Sequence, residues 1–216
     1  MKQIRWMLTA GASVVLASGF AVAQTTTTSP PSAGSTPTAS TASQPHPQNV
    51  YQRRQDQQNR IANGVQSGQL TAGETKNLEG REAGVNQEIH ADKAANDGKL
   101  TGQEKQQIQH QDNNISKSIY QDKHNANTAK FGNNEVGQRR ENQQDRIAQG
   151  IRSGQMTPNE AAHAEGQQQS INRQVAADRQ ANGGKLTGQQ RQQINRRQNR
   201  ASNNIYNKKH NGNRRY

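Results

Sequence analysis

The chain has no cysteine among its 216 residues, so disulfides and thiolate metal centres are both closed to it. Aromatic residues make up 3% of it and apolar residues 27%, and much of that apolar content lies in the first two dozen positions. Beyond them Leu, Ile, Val and Phe amount to only about a tenth of the chain, a level typical of sequences that bury no large core. The same scarcity weighs against a desolvated catalytic pocket, because few apolar residues are available to enclose and tune a reacting group. No nucleophile elbow, phosphate-cradling glycine loop or paired-carboxylate setting stands out. The expectation is a protein that is not an enzyme and uses no cofactor.

What the chain does have begins with a leader-like segment. Lys2 and Arg5 form a basic start, Trp6 to Phe20 is a mostly apolar run, and Ala21-Val22-Ala23 offers a small-x-small cleavage site before Gln24. The run is too short for a membrane anchor and lacks a basic flank after it. Residues 1–23 therefore read as a signal peptide. The expected mature protein is exported, periplasmic or extracellular, with no transmembrane span. Residues 24–48 are Thr, Ser, Pro, Ala and Gln with no formal charge, the composition of a disordered linker. His46, between prolines there, reads as solvated.

From Asn49 onward the chain repeats. Residues 49–130 align without a gap with 135–216, and 131–134 join the two copies. The organising pattern is Asn96-Asp97-Gly98-Lys99-Leu100-Thr101 running to Glu104, copied at Asn182 to Gln190, with shorter relatives at Ser67–Glu74 and Ser153–Glu160. Glycine ends one helix in the left-handed conformation, and Thr then caps the next. Thr71/Glu74, Thr101/Glu104 and Thr157/Glu160 fit a capping box, and Thr187 fits one with the amide of Gln190. Pro158 falls at a first helical position. The spacing predicts three helices per copy, near 50–66, 72–94 and 102–124, then 136–152, 158–180 and 188–210. The fold class is therefore all-α: two tandem copies of a three-helix unit with short Gly-Leu-Thr loops.

Apolar residues recur at helical spacing within these segments: Ile61 and Val65; Leu78, Val85 and Ile89; Ile108, Ile115 and Ile119. The second copy offers Ile147 and Ile151; Ala164, Ile171 and Val175; Ile194, Ala201 and Ile205. The remaining Gln, Asn and charged positions read as solvated surface. Gly80, Gly84 and Gly166 fall inside the middle helices and weaken them. The SG-x-LT-x-x-E, G-x-LT and IY-x-x-KHN patterns (Ile119-Tyr120 with Lys123-His124-Asn125, and Ile205-Tyr206 with Lys209-His210-Asn211) resemble those of a group of uncharacterised exported bacterial helical proteins. That resemblance covers the whole repeat region and implies export and helical hairpins, with no activity attached.

Three candidate chemistries remain. Residues 92–104 resemble a degenerate EF-hand loop, with Asp92, Asp97 and Glu104 as weak calcium candidates. The first and third ligand positions counted back from Gly98 are Lys93 and Ala95, so helix capping is the expected role and no metal is assigned. The histidines lack ligand spacing with a nearby carboxylate. Charge is more informative. The formal net charge is +12. Residues 49–130 hold 11 basic and 10 acidic residues, whereas 135–216 hold 15 and 6. Asp178 is the last acid in the chain. The basic positions Arg191, Arg196, Arg197, Arg200, Lys208, Lys209, Arg214 and Arg215 follow it, on helix positions where the first copy has Asp112 opposite Gln198 and Asp122 opposite Lys208. They form a candidate surface for a polyanion such as lipopolysaccharide, anionic lipid or nucleic acid. Tyr206 repeats as Tyr120, which points to packing rather than contact with a ligand. The rival readings are a weak calcium-binding protein and a structural surface protein without a specific ligand.

Overall fold

Helix punctuation alone sets the element boundaries. The computed structural model describes residues 49–215; the expected signal peptide and the whole of the expected linker lie outside them. The described residues hold six α-helices and no strand: α1 (Val50–Gln66), α2 (Ala72–Ala95), α3 (Gly102–His124), α4 (Glu135–Ser153), α5 (Pro158–Ala181) and α6 (Gly188–His210). Capping boxes open α2, α3, α5 and α6 at Thr71, Thr101, Thr157 and Thr187, as the spacing predicts. A further box opens α1 at Asn49 with Gln52. Gly68, Gly98, Gly154 and Gly184 all take positive φ at the bends.

Within each copy every pair of helices touches, but the most extensive contacts run between copies, α2 against α5 and α1 against α4. Gly73 approaches Gln169 while Gly166 approaches Lys76, so α2 and α5 run antiparallel. Equivalent helices pairing with each other is the pattern of an approximate two-fold. The arrangement makes the thin apolar seams sufficient. One cluster joins Ile61, Val65, Leu78, Ile108 and Ile115 of the first copy to Ile147, Ile151, Ala161 and Ile205 of the second. A smaller one holds Val136, Ile171, Val175, Ile194 and Ala201. All of the predicted seam residues are buried except Ile89, which is partly so. Leu70 and Met156 from the loops add to the core.

The expectation that the remaining polar residues are solvated is corrected by the packing. Arg54, Glu79, Glu82, Asp112 and Glu165 are buried, as are Gln57, Gln58, Gln143, Gln144, Gln168 and Gln198. The seams carried the signal. Leu78 and Val85, and Ile108 and Ile115, are seven residues apart, and the residues between them on the same stripe are Glu82 and Asp112. Gln168 and Gln198 occupy those places in the second copy. A stripe one turn short of apolar residues places a polar residue inside.

Candidate polyanion-binding site

The Asn of the KHN pattern serves the caps. Glu74 Oε2 accepts from Thr71 N at 2.9 Å, while its Oε1 accepts from Asn125 Nδ2 at 2.8 Å and Asn127 Nδ2 at 3.0 Å. Glu160 does the same with Thr157, Asn211 and Asn213. One carboxylate therefore caps a middle helix and holds the chain that leaves the third. These bonds hold the Glu74 and Glu160 carboxyls below the usual range although partial burial raises them. Glu104 instead accepts from Thr101 N and from Asn96 Nδ2, both at 2.7 Å. Its oxygens are thus engaged in capping. Among the described residues no group of three or more His, Asp or Glu side chains is arranged to hold a metal ion, so Asp92, Asp97 and Glu104 are not brought together as a calcium set.

Tyr120 and Tyr206 do not pack in the core. They are 60% and 56% exposed, and each stacks on the histidine one turn later with ring centroids 4.2 Å apart. His124 Nδ1 donates to the Tyr120 carbonyl at 2.7 Å, and His210 does so to Tyr206. A carbonyl only accepts, so the proton sits on Nδ1.

The basic residues of the last stretch separate into two groups. Arg215 is buried, 7% exposed, and donates to the Ile151 carbonyl at 2.9 Å and to Gln55 and Gln58 of α1. Lys209 is buried over Gly150 and donates to Gln149 Oε1 at 2.7 Å. Both belong to the interior rather than to a basic face. Arg191, Arg196, Arg200 and Arg214 are exposed, and Arg197 and Lys208 half-buried.

Three of these cations converge. Arg197, Arg200 and Lys208 of α6 line an open groove of about 630 Å³ against α5, joined by His163 of α5 and Lys76 of α2. No acidic side chain lines it. Arg197 is held in place by Ser170 Oγ at 2.7 Å and by Gln174 Oε1. Arg191 lies apart, lining a second cavity with Arg179 and Lys185. Lys76 and His163 were not legible as site residues, because they reach the groove only through the packing of α2 on α5. The chain matches no protein-family model, and no curated protein or solved structure is significantly similar to it.

The first copy supplies an internal comparison. Gln111, Asn114 and Asp122 stand where the second has Arg197, Arg200 and Lys208, and Ala162 stands where Lys76 would by the repeat. Arg81 there bonds Ser118 Oγ at 2.7 Å, and its charge bears on Asp122. The same backbone frame thus carries a near-neutral face in one copy and a face of one sign in the other. No described helix is long and apolar enough to cross a membrane.

Proposed function

We propose that this is an exported, non-enzymatic helical repeat protein that binds polyanions of the envelope or extracellular space in the groove between α5 and α6. The observation that carries the reading is the one-signed lining: Lys76, Arg197, Arg200 and Lys208 surround about 630 Å³ with no carboxylate among the lining residues. Several cations on packed helices match closely spaced phosphates, and their affinity comes largely from counterion release, so it is salt-dependent. Lipopolysaccharide, anionic lipid and nucleic acid share that phosphate chemistry. Export rests on the basic, apolar and small-x-small order of residues 1–23.

Heparin chromatography of the protein tests it, with duplex DNA and anionic vesicles as the other ligands. Replacing Arg200→Gln together with Lys208→Gln should lower the eluting salt and reduce the log–log salt slope for DNA by about 2. The charge-matched control is Lys105→Gln with Lys117→Gln, both exposed in the first copy. Equal shifts from the two pairs would reject the groove and leave only non-specific net charge.

A further inference from the structure

A second basic feature is buried rather than exposed. Arg140 of α4 is 7% exposed, and its equivalent in the first copy, Arg54 of α1, is 3% exposed. Arg54 is compensated. Its Nη2 meets Glu82 Oε2 at 3.2 Å and the Glu82 carbonyl at 3.0 Å, and its Nη1 donates to Asn86 Oδ1. In the second copy the equivalents of Glu82 and Asp112 are Gln168 and Gln198, so the carboxylates are gone while the arginine stays.

The consequences are visible atom by atom. Arg140 Nη2 donates to the Lys130 carbonyl at 3.1 Å, and the guanidinium lies over the Phe131 ring, 5.4 Å from its centroid. Gln168 Oε1 and Asn172 Oδ1, the equivalents of the atoms Arg54 is served by, have no partner; the Nε atom is unpartnered in both arginines. Among the described residues Arg140 pairs with no carboxylate. Burial and the charge of Arg179 both disfavour its charged form. Arg140 lines a cavity of about 420 Å³ with Lys130, Arg173, Asn172 and the first turn of α2, and no acidic side chain lines it. A buried cation without a counter-charge is costly, and the positive end of a helix favours an anion beside it.

We propose that this cavity is a site for a small oxyanion, a carboxylate or phosphate group held on Arg140 with Arg173 and Lys130. The first copy builds the counter-charge into its own chain as Glu82; the second leaves it to a ligand. The register of the two helix pairs is the same, because Gln58 donates to Glu79 Oε2 at 3.0 Å and Gln144 to Glu165 Oε2 at 2.8 Å. Gln168 therefore stands where Glu82 does. The site shares no lining residue with the groove between α5 and α6 and does not depend on that reading.

Thermal unfolding of the protein is followed in succinate and in inorganic phosphate, each against sodium chloride at equal ionic strength. At about a hundredfold excess over Kd a bound anion should raise Tm by roughly 5–10 °C. Arg140→Gln should abolish the rise. Gln168→Glu, which restores the ion pair of the first copy, should raise Tm without any anion and also abolish the response. The Arg200→Gln, Lys208→Gln double variant should keep it, so failure of the groove and failure of this site are read separately. A response to succinate alone identifies a carboxylate ligand, and a response to phosphate alone a phosphate. No rise with either anion, or an undiminished rise in Gln168→Glu, overturns the proposal, and that second variant decides the matter if Arg140→Gln does not fold.

Discussion

Glu79 and Glu165 occupy equivalent places in the two copies, on the helices that cross at the centre of the molecule. Burial pushes each carboxyl up to about 8, and the single bond from Gln58 or Gln144 only partly offsets it. Burial also pushes Glu82 up to about 7, with Arg54 pulling the other way. A carboxyl raised on folding binds more protons in the folded than in the unfolded chain between its ordinary value and its raised one. Stability therefore falls as pH rises across that interval. The capping residues Glu74 and Glu160 have the opposite sign: their lowered carboxyls contribute stability above the ordinary carboxyl range, and it is lost as pH falls below that range through their lowered values. The two sets together place the optimum in mildly acidic solution. Replacing Glu79→Gln keeps the shape and removes the titration. In urea unfolding at pH 6 and pH 9 the variant should lose less stability between the two than the parent, by on the order of a few kcal/mol. An unchanged difference would mean that Glu79 is not held neutral by its surroundings.

Among the helices, glycine has two uses that the sequence does not tell apart. At Gly64 an added Cβ would lie 2.7 Å from the Leu70 side chain, and at Gly150 it would lie 2.6 Å from Met156 Sδ. Leu70 and Met156 are themselves buried, and their backbone N–H groups donate to the Gly64 and Gly150 carbonyls at 2.9 and 3.0 Å. The loop folds back over the end of the helix, and only a glycine lets it come that close. Gly80 and Gly84 have nothing within 4 Å of such a Cβ. Gly84→Ala should accordingly raise stability by about 0.5–1 kcal/mol through helix propensity. Gly64→Ala should lower it by about 1–3 kcal/mol through overpacking. Chemical denaturation midpoints at one pH read both, and shifts of the same sign would contradict the packing argument. The four caps that begin at Thr, by contrast, were legible, because a Thr and a Glu or Gln three residues apart define a local geometry that needs no partner from elsewhere; the Asn caps of α1 and α4 lay outside that pattern.

At the scale of the whole molecule, the copies are not independent. The larger apolar cluster takes residues from both, and the described residues belong to one compact unit. Arg215, near the end of the second copy, reaches α1 of the first, and its charge bears on Glu79 and Glu82; the equivalent residue in the first copy is Ala129. Arg152 of α4 likewise donates to Asn63 at 2.8 Å and Gln66 at 2.7 Å on α1. Calorimetry should therefore give a single transition whose van't Hoff and calorimetric enthalpies agree. Two transitions, or a van't Hoff enthalpy near half the calorimetric one, would show the copies unfolding separately.

The residues of the chain, read in order, determined where helices begin and end, how many there are, that they come in two copies, and which apolar positions face inward. These are consequences of local hydrogen bonding and of period. Tertiary structure alone decided that α2 lies on α5 and α1 on α4, and with that which polar residues are inside. Arg215 and Lys209 read in the sequence as members of the basic tail surface, yet the interior takes them, because the surfaces they meet come from α1 and α4. Lys76 and His163 enter the groove for the same reason: a contact between helices far apart in the chain leaves no mark on the spacing of either one.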